Sequence, residues 1–183
     1  MEETDCTACE LHKTRQKIVW GSGPNNPKFL FIGQAPGKSE NMAGRPFVGR
    51  SGHLLDRLLR KLEIPKDCVY LTNVLKCYPP DDAAPTRDQI EACWPHLERQ
   101  MRALNCRRIV AVGGTAMVTL ARYLGFVMPK NGIIRSAGQW LQHNDTYVFG
   151  IIHPAFALRN EEERWNLEYQ LKKMWRTAAL LEG

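Results

Sequence analysis

The apolar positions of this chain switch repeatedly between short continuous runs and a spacing of three and four. Lys28-Phe29-Leu30-Phe31-Ile32-Gly33 is a nearly continuous apolar run closed by glycine, the pattern of a buried strand. Ser51 then stands where it can cap a helix in which Leu54, Leu55, Leu58, Leu59 and Leu62 form one stripe. Val69 to Val74 predicts a second strand. Thr86-Arg87-Asp88-Gln89 has the form of a capping box, and Ile90, Cys93, Leu97, Met101 and Leu104 continue it as a helix. Arg108 to Gly113 predicts a third strand, followed by a helix over Thr115 to Leu124. Tyr147 to Ile152 supplies a fourth strand, and Glu161 to Leu181, carrying Trp165, Tyr169, Met174 and Trp175, a closing helix. Gly33 to Gly52 and Tyr78 to Pro85 read as loops, and no internal repeat, low-complexity segment or long linker interrupts the pattern.

Strands and helices that alternate in this way favour a mostly parallel central sheet covered by helices on both faces, a three-layer α/β/α sandwich. The 183 residues are enough for one such domain, over 1–183, and leave little for a second. Ligands of parallel sheets bind beyond the carboxyl ends of the strands. Gln34 follows the first predicted strand, Asn73 lies near the end of the second and His153 follows the fourth, so parallel strands would aim all three into one crevice.

Composition narrows the class. With 44% hydrophobic and 24% charged residues the chain is neither disordered nor fibrous. No apolar run approaches the roughly 18 residues of a membrane helix, and Met1-Glu2-Glu3-Thr4-Asp5 is acidic where a secretory signal is basic and then apolar. A cytoplasmic protein without membrane contact is expected. Its 25 Lys and Arg against 19 Asp and Glu give a net charge of +6, which favours a polyanionic partner.

Six cysteines in a reducing compartment point to metal or catalysis rather than disulfides. Cys6 and Cys9 are two residues apart in a polar segment, a spacing that lets two thiolates grip one ion or one cluster edge; Cys77 and Cys93 would complete four positions. Spacing does not separate a tetrathiolate zinc from a four-iron cluster. Cys68 and Cys106, at the starts of the second and third strands, read as packing residues.

Gly33-Gln34-Ala35-Pro36-Gly37 lacks both the Lys-Ser/Thr ending of a P-loop and the three-glycine dinucleotide fingerprint. Taken with Lys38 to Leu55, with Thr72-Asn73-Val74-Leu75-Lys76-Cys77-Tyr78-Pro79-Pro80 and with His153-Pro154-Ala155-Phe156-Ala157-Leu158-Arg159, it resembles the family 4 uracil-DNA glycosylases of bacteria and archaea. The likeness runs through almost the whole chain in order and includes the four cysteines. It implies a DNA repair hydrolase acting on uracil-containing DNA as a monomer, with a structural [4Fe-4S] cluster on Cys6, Cys9, Cys77 and Cys93 and zinc as the lesser alternative. It also implies that Asn73 binds the uracil edge, whose O4 and N3–H need an acceptor and a donor together. Phe47 would stack the flipped base and His153 would hydrogen-bond uracil O2. Gly33, Gln34 and Ala35 would line the pocket, with Leu158 and Arg159 filling the gap in the duplex and gripping a phosphate. Lys38, Arg45, Arg50 and Lys76 would supply further phosphate contacts.

The chain departs from the family's usual pattern at Gln34 and Asn41, where amides replace carboxylates. A carboxylate at either position could orient or deprotonate water, whereas an amide can only orient. Gln34 therefore implies a slowed or altered glycosylase, and it opens two alternatives: a catalytically weakened damage-sensing homologue, or a glycosylase for another deaminated base such as hypoxanthine or xanthine. Glu40 could compensate in part. Covalently attaching relatives carry a basic loop ending in a reactive histidine; Ile134 to Trp140 has no histidine, so covalent capture is not expected.

Overall fold

The computed structural model describes residues 5–128 and 138–181, and its elements follow the predicted alternation. The three apolar runs become β1 (Phe29–Gly33), β2 (Val69–Asn73) and β3 (Arg108–Val112). The fourth run is the fifth strand in chain order, β5 (Thr146–Ile151), because β4 (Trp140–His143) precedes it. Lying at an edge and half-buried at best, β4 has no continuous apolar run to announce it. Its signal is the Asn144-Asp145 pair, a two-residue hairpin turn with Asn144 at φ 50°.

Strand order is β2-β1-β3-β5-β4, with the first four parallel and β4 antiparallel. The β2 edge is covered by Ser22, which exchanges two backbone hydrogen bonds with Leu71, of 2.8 and 2.9 Å. Six helices complete the described residues: α1 (Lys38–Ala43), α2 (Arg50–Lys61), α3 (Arg87–Leu104), α4 (Gly114–Leu124), α5 (Pro154–Ala157) and α6 (Glu161–Ala178). Alternation along β1 divides the core between two faces. Phe29 and Phe31 pack with the α2 leucines and with Leu167, Leu171 and Met174 of α6. Leu30 and Ile32 pack with Leu97 and Leu104 of α3 and with Met117 and Leu120 of α4. The result is the expected α/β/α sandwich.

The capping box of α3 forms in both directions: Gln89 N–H donates to Thr86 Oγ1 at 3.2 Å, and Thr86 N–H to Gln89 Oε1 at 3.0 Å. Ser51 does not cap α2. The helix starts at Arg50 with Gly49 as its N-cap, and the Gly49 N–H is held by the Glu40 carboxylate at 2.7 Å, so the chain is fixed before Ser51 is reached. The predicted loop Gly33 to Gly52 contains α1, and Tyr78 to Pro85 contains a 3-10 turn at Pro80–Asp82. The closing helix ends at Ala178 and tightens into a 3-10 turn over Ala179–Leu181. No described helix is long and apolar enough to cross a membrane.

Candidate active site

Three of the four parallel strands, β1, β2 and β5, open their carboxyl ends onto one cleft of about 550 Å³, within the range of small-molecule sites. Gln34, Asn73 and His153 all line it, as the parallel arrangement requires, together with Ala35, Phe47 and Glu40. Gly33 lies beneath. In the β1–β2 register it is the partner of Asn73, and a Cβ on it would run into Asn73 Oδ1 and come within 2.9 Å of Phe47 Cζ. The missing side chain is what lets the Asn73 amide and the Phe47 ring meet. Phe47 itself sits at φ 55°, and a Cβ on Gly52, in the first turn of α2, would collide with its backbone. Two glycines thus shape a slot with an aromatic face on one side and a buried amide, 3% exposed, on the other.

His153 is the N-cap of α5, and its Nδ1 accepts the Ala155 N–H at 3.1 Å. With Nδ1 accepting, the neutral ring carries its proton on Nε2. Burial holds the imidazole below its usual 6.5, against an opposing pull from the Glu40 carboxylate. At neutral pH His153 is therefore an uncharged hydrogen-bond donor.

Gln34 is oriented from α4: its Oε1 accepts the Thr115 hydroxyl at 2.7 Å. Thr115 was not singled out from sequence; its only signal is its place one residue inside a helix that starts at a strand end. Glu40 does reach the cleft, but its carboxylate is engaged by backbone, accepting from Gly37 N–H at 3.1 Å and Gly49 N–H at 2.7 Å. Asn41 corrects the sequence expectation. Its Oδ1 accepts from the Gln16 and Lys17 N–H groups at 2.8 and 3.4 Å, so this buried amide ties down the N-terminal segment and is not among the residues lining the cleft.

Lys38, Arg50 and Arg159 line the cleft mouth, and Arg45 is exposed on the same loop. Lys76 does not join them: it is 1% exposed and bonded inward. Leu158 is half-buried against the α2–α6 face of the core, whereas Phe156 is 61% exposed and is the apolar side chain that this turn offers to solvent. Ile134 to Ala137, part of the segment on which the rejection of covalent capture rests, lies outside the described residues.

Cys6, Cys9, Cys77 and Cys93 line a second cavity, with Arg15, Trp20 and His96 around them. All four are free thiols. Polar groups are directed at three of the sulfurs: His96 Nε2 lies 3.2 Å from Cys6 Sγ, Arg15 Nη1 donates to Cys77 Sγ at 3.6 Å and Lys76 N–H to Cys93 Sγ at 3.2 Å. Burial pushes the Cys77 thiol up, opposed by Arg15, and the Cys93 thiol up to about 11, opposed by Lys76. Four soft donors around a common space, with N–H groups turned toward them, fit a thiolate-ligated centre. Among the described residues no three His, Cys, Asp or Glu side chains gather for a single metal ion; a tetrahedral zinc would need its sulfurs about 3.8 Å apart at Zn–S bonds of about 2.3 Å. Cys68 and Cys106 lie apart from this cavity and pack at the starts of β2 and β3.

The sequence model of the Uracil DNA glycosylase superfamily matches residues 20–179, which spans the sheet, the cleft and the full lengths of α1 to α6. The chain belongs to this superfamily. A Type-4 uracil-DNA glycosylase of Thermotoga maritima is 39% identical over 85% of this chain and 79% of its own length. The Type-4 enzyme of Pyrobaculum aerophilum is 37% identical, covering 91% and 86%, whereas the Type-5 uracil-DNA glycosylase of the same organism is 28% identical, covering 81% and 73%. Within the superfamily the chain thus sits with the Type-4 branch, as the motifs implied.

Proposed function

We propose that this protein hydrolyses the N-glycosidic bond of uracil in DNA and leaves an abasic site. The observation that carries the reading is the slot in which the Asn73 amide meets the Phe47 ring over Gly33, with His153 in the same cleft. A base extruded from the duplex stacks on Phe47, a contact worth about 1–3 kcal/mol against the cost of unstacking. Asn73 offers an acceptor and a donor to the uracil edge, and the 4-amino group of cytosine mismatches that pair. The neutral Nε2–H of His153 donates to uracil O2 as the bond to the sugar breaks and negative charge collects on the departing base. Gln34 orients the water. Lys38, Arg50 and Arg159 take phosphates, and Phe156 enters the gap left in the duplex.

The four cysteines hold a [4Fe-4S] cluster, with zinc as the alternative, and the donor chemistry of their cavity supports this reading. Through these ligands the N-terminal segment would be tied to the loop after β2 and to α3, and glycosidic hydrolysis asks no electron of such a centre. The protein works as a monomer, as one domain over 1–183, in the cytoplasm.

The test uses oligonucleotides carrying one uracil, hypoxanthine or xanthine, single- and double-stranded, with abasic sites then cleaved by alkali. Strand breaks at uracil that disappear in Asn73→Ala are expected. Breaks at hypoxanthine or xanthine instead would reassign the base, and specific binding without breaks would make the protein a damage sensor. The Gln34 amide is too weak a base to take a proton from water, and its oxygen already accepts the Thr115 hydroxyl. Gln34→Glu should therefore raise the single-turnover rate by about tenfold, below the roughly 10²–10⁴ that general bases commonly supply, since the leaving group carries most of the barrier lowering. An unchanged rate would put water activation elsewhere in the cleft.

A further inference from the structure

Lys76 lies between the two centres and bonds to both. Its ammonium donates to the Asn73 carbonyl at 2.7 Å, to Thr72 Oγ1 at 2.7 Å and to Gln100 Oε1 at 2.6 Å. Its own N–H donates to Cys93 Sγ at 3.2 Å, and its carbonyl accepts the Val19 N–H at 2.8 Å. The next residue, Trp20, is held by the same group of side chains: its carbonyl accepts from Thr72 Oγ1 at 2.6 Å and from Gln100 Nε2 at 3.1 Å. The Trp20 ring stands edge-on to His96 at 5.1 Å, and His96 reaches Cys6. One connected set of hydrogen bonds and ring contacts therefore runs from the peptide carrying the base-reading amide, through Lys76, to the N-terminal segment and two of the four thiols. The residue is 1% exposed and its ammonium spends hydrogen bonds on Asn73, Thr72 and Gln100; an apolar side chain of similar length would fill the same space. What an apolar chain would not do is hold the carbonyl of Asn73.

We infer that Lys76 is a positioning residue that couples the thiol centre to the base pocket, its side chain fixing the Asn73 peptide and its main chain fixing Cys93 and the N-terminal segment. The inference rests on Asn73 as the base reader and on the four cysteines as cofactor ligands. Lys76 lies outside the base cleft and borders the cysteine cavity through its main chain, so loss of its side chain acts on the base pocket through the Asn73 peptide and on the thiols through its own backbone. Coupling of this kind is reciprocal: a filled thiol centre favours the ordered pocket, and a bound base slows cofactor loss.

The test compares the cofactor-loaded wild type with Lys76→Met and Asn73→Ala, alone and combined. Two quantities are read. One is the rate of bleaching near 400 nm under an iron chelator. The other is the affinity for an oligonucleotide with an uncleavable 2′-fluorinated deoxyuridine relative to the same strand with thymidine. Lys76→Met is expected to bleach faster and to lose about tenfold of the uracil preference, within the ordinary range of site coupling. In the Asn73→Ala background the same substitution should still speed bleaching but remove no further preference, because its effect on the base passes through Asn73. Saturating uracil strand should slow bleaching of the wild type and not of Lys76→Met. Thr72→Val, which removes one acceptor and keeps the shape, should shift both quantities in the same direction by less, and it stands in if Lys76→Met does not fold. A change in one quantity alone, or full additivity with Asn73→Ala, overturns the inference. A wild type without iron and sulfide, or without uracil preference, is instead a failure of the underlying reading.

Discussion

Replacing His153 by alanine should lower single-turnover uracil release by about 10²–10³-fold, the usual cost of removing one donor from a site of developing negative charge. Binding of an uncleavable uracil strand should change far less, because the donor matters most once the base leaves as an anion. The pH profile gives an independent check. Burial holds the His153 pKa below 6.5, so release should stay level as pH falls through the ordinary histidine range and decline only below it. Protonation there puts a hydrogen on Nδ1, which now accepts from Ala155 N–H, and breaks the cap of α5. The same shift affects stability. The unfolded chain takes up this proton near pH 6.5 and the folded chain only at lower pH, so stability is full above about 6.5 and falls as pH drops toward the folded value. Denaturant unfolding at pH 7.5 and 5.5 should show a smaller loss for His153→Ala than for wild type. An equal loss in both would remove His153 as a cause of acid sensitivity, and wild-type release by the variant would remove it from catalysis.

Gly33→Ala should be nearly as severe although the added group is one methyl. The new carbon meets the Asn73 amide and the Phe47 ring together, and the ring can yield only by swinging into the cleft that a base would enter. Asn73 is buried with its carbonyl held by Lys76, and Phe47 is fixed by α2 beneath it. A displacement on the order of 1 Å in a positioning group costs about 10²-fold, so release should fall by at least that much. Affinity for undamaged DNA, assigned in the proposed function to Lys38, Arg50 and Arg159 at the mouth, should stay within about twofold, as expected for contacts that do not change. Circular dichroism should be unaltered because alanine is tolerated in a strand. Retained release in Gly33→Ala would mean that the base does not enter between Asn73 and Phe47.

His153 and Gly33 both stand at strand ends, and strand ends are legible in the sequence. Strand ends were readable because Leu30, Phe31 and Ile32 are fully buried and write an unbroken apolar run. Once four such runs are taken as parallel, Gln34, Asn73 and His153 must converge. What sequence left out depends on partners distant in the chain or on where a polar atom points. Lys76 reads as a solvated cation until Gln100, 24 residues on, brings an oxygen to it inside the core. Asn41 reads as an altered catalytic position until its amide is seen holding Gln16 and Lys17. Thr115, 81 residues from Gln34, leaves no local trace of the hydroxyl that orients the amide. Edge strand β4 leaves no trace in the pattern for the opposite reason, since half-exposed residues have no strong period to show.

The Glu40 carboxylate bonds Gly37 and Gly49 at once, and these two residues bracket the loop that carries Phe47. Mechanically the segment is a closed ring clasped at its neck. Positions on its outer rim, such as Met42 at 57% exposure and the exposed Ala43 and Arg45, can change without loosening the clasp. That rim is where the protein can acquire new contacts to a nucleic acid strand while the aromatic floor of its pocket stays in place.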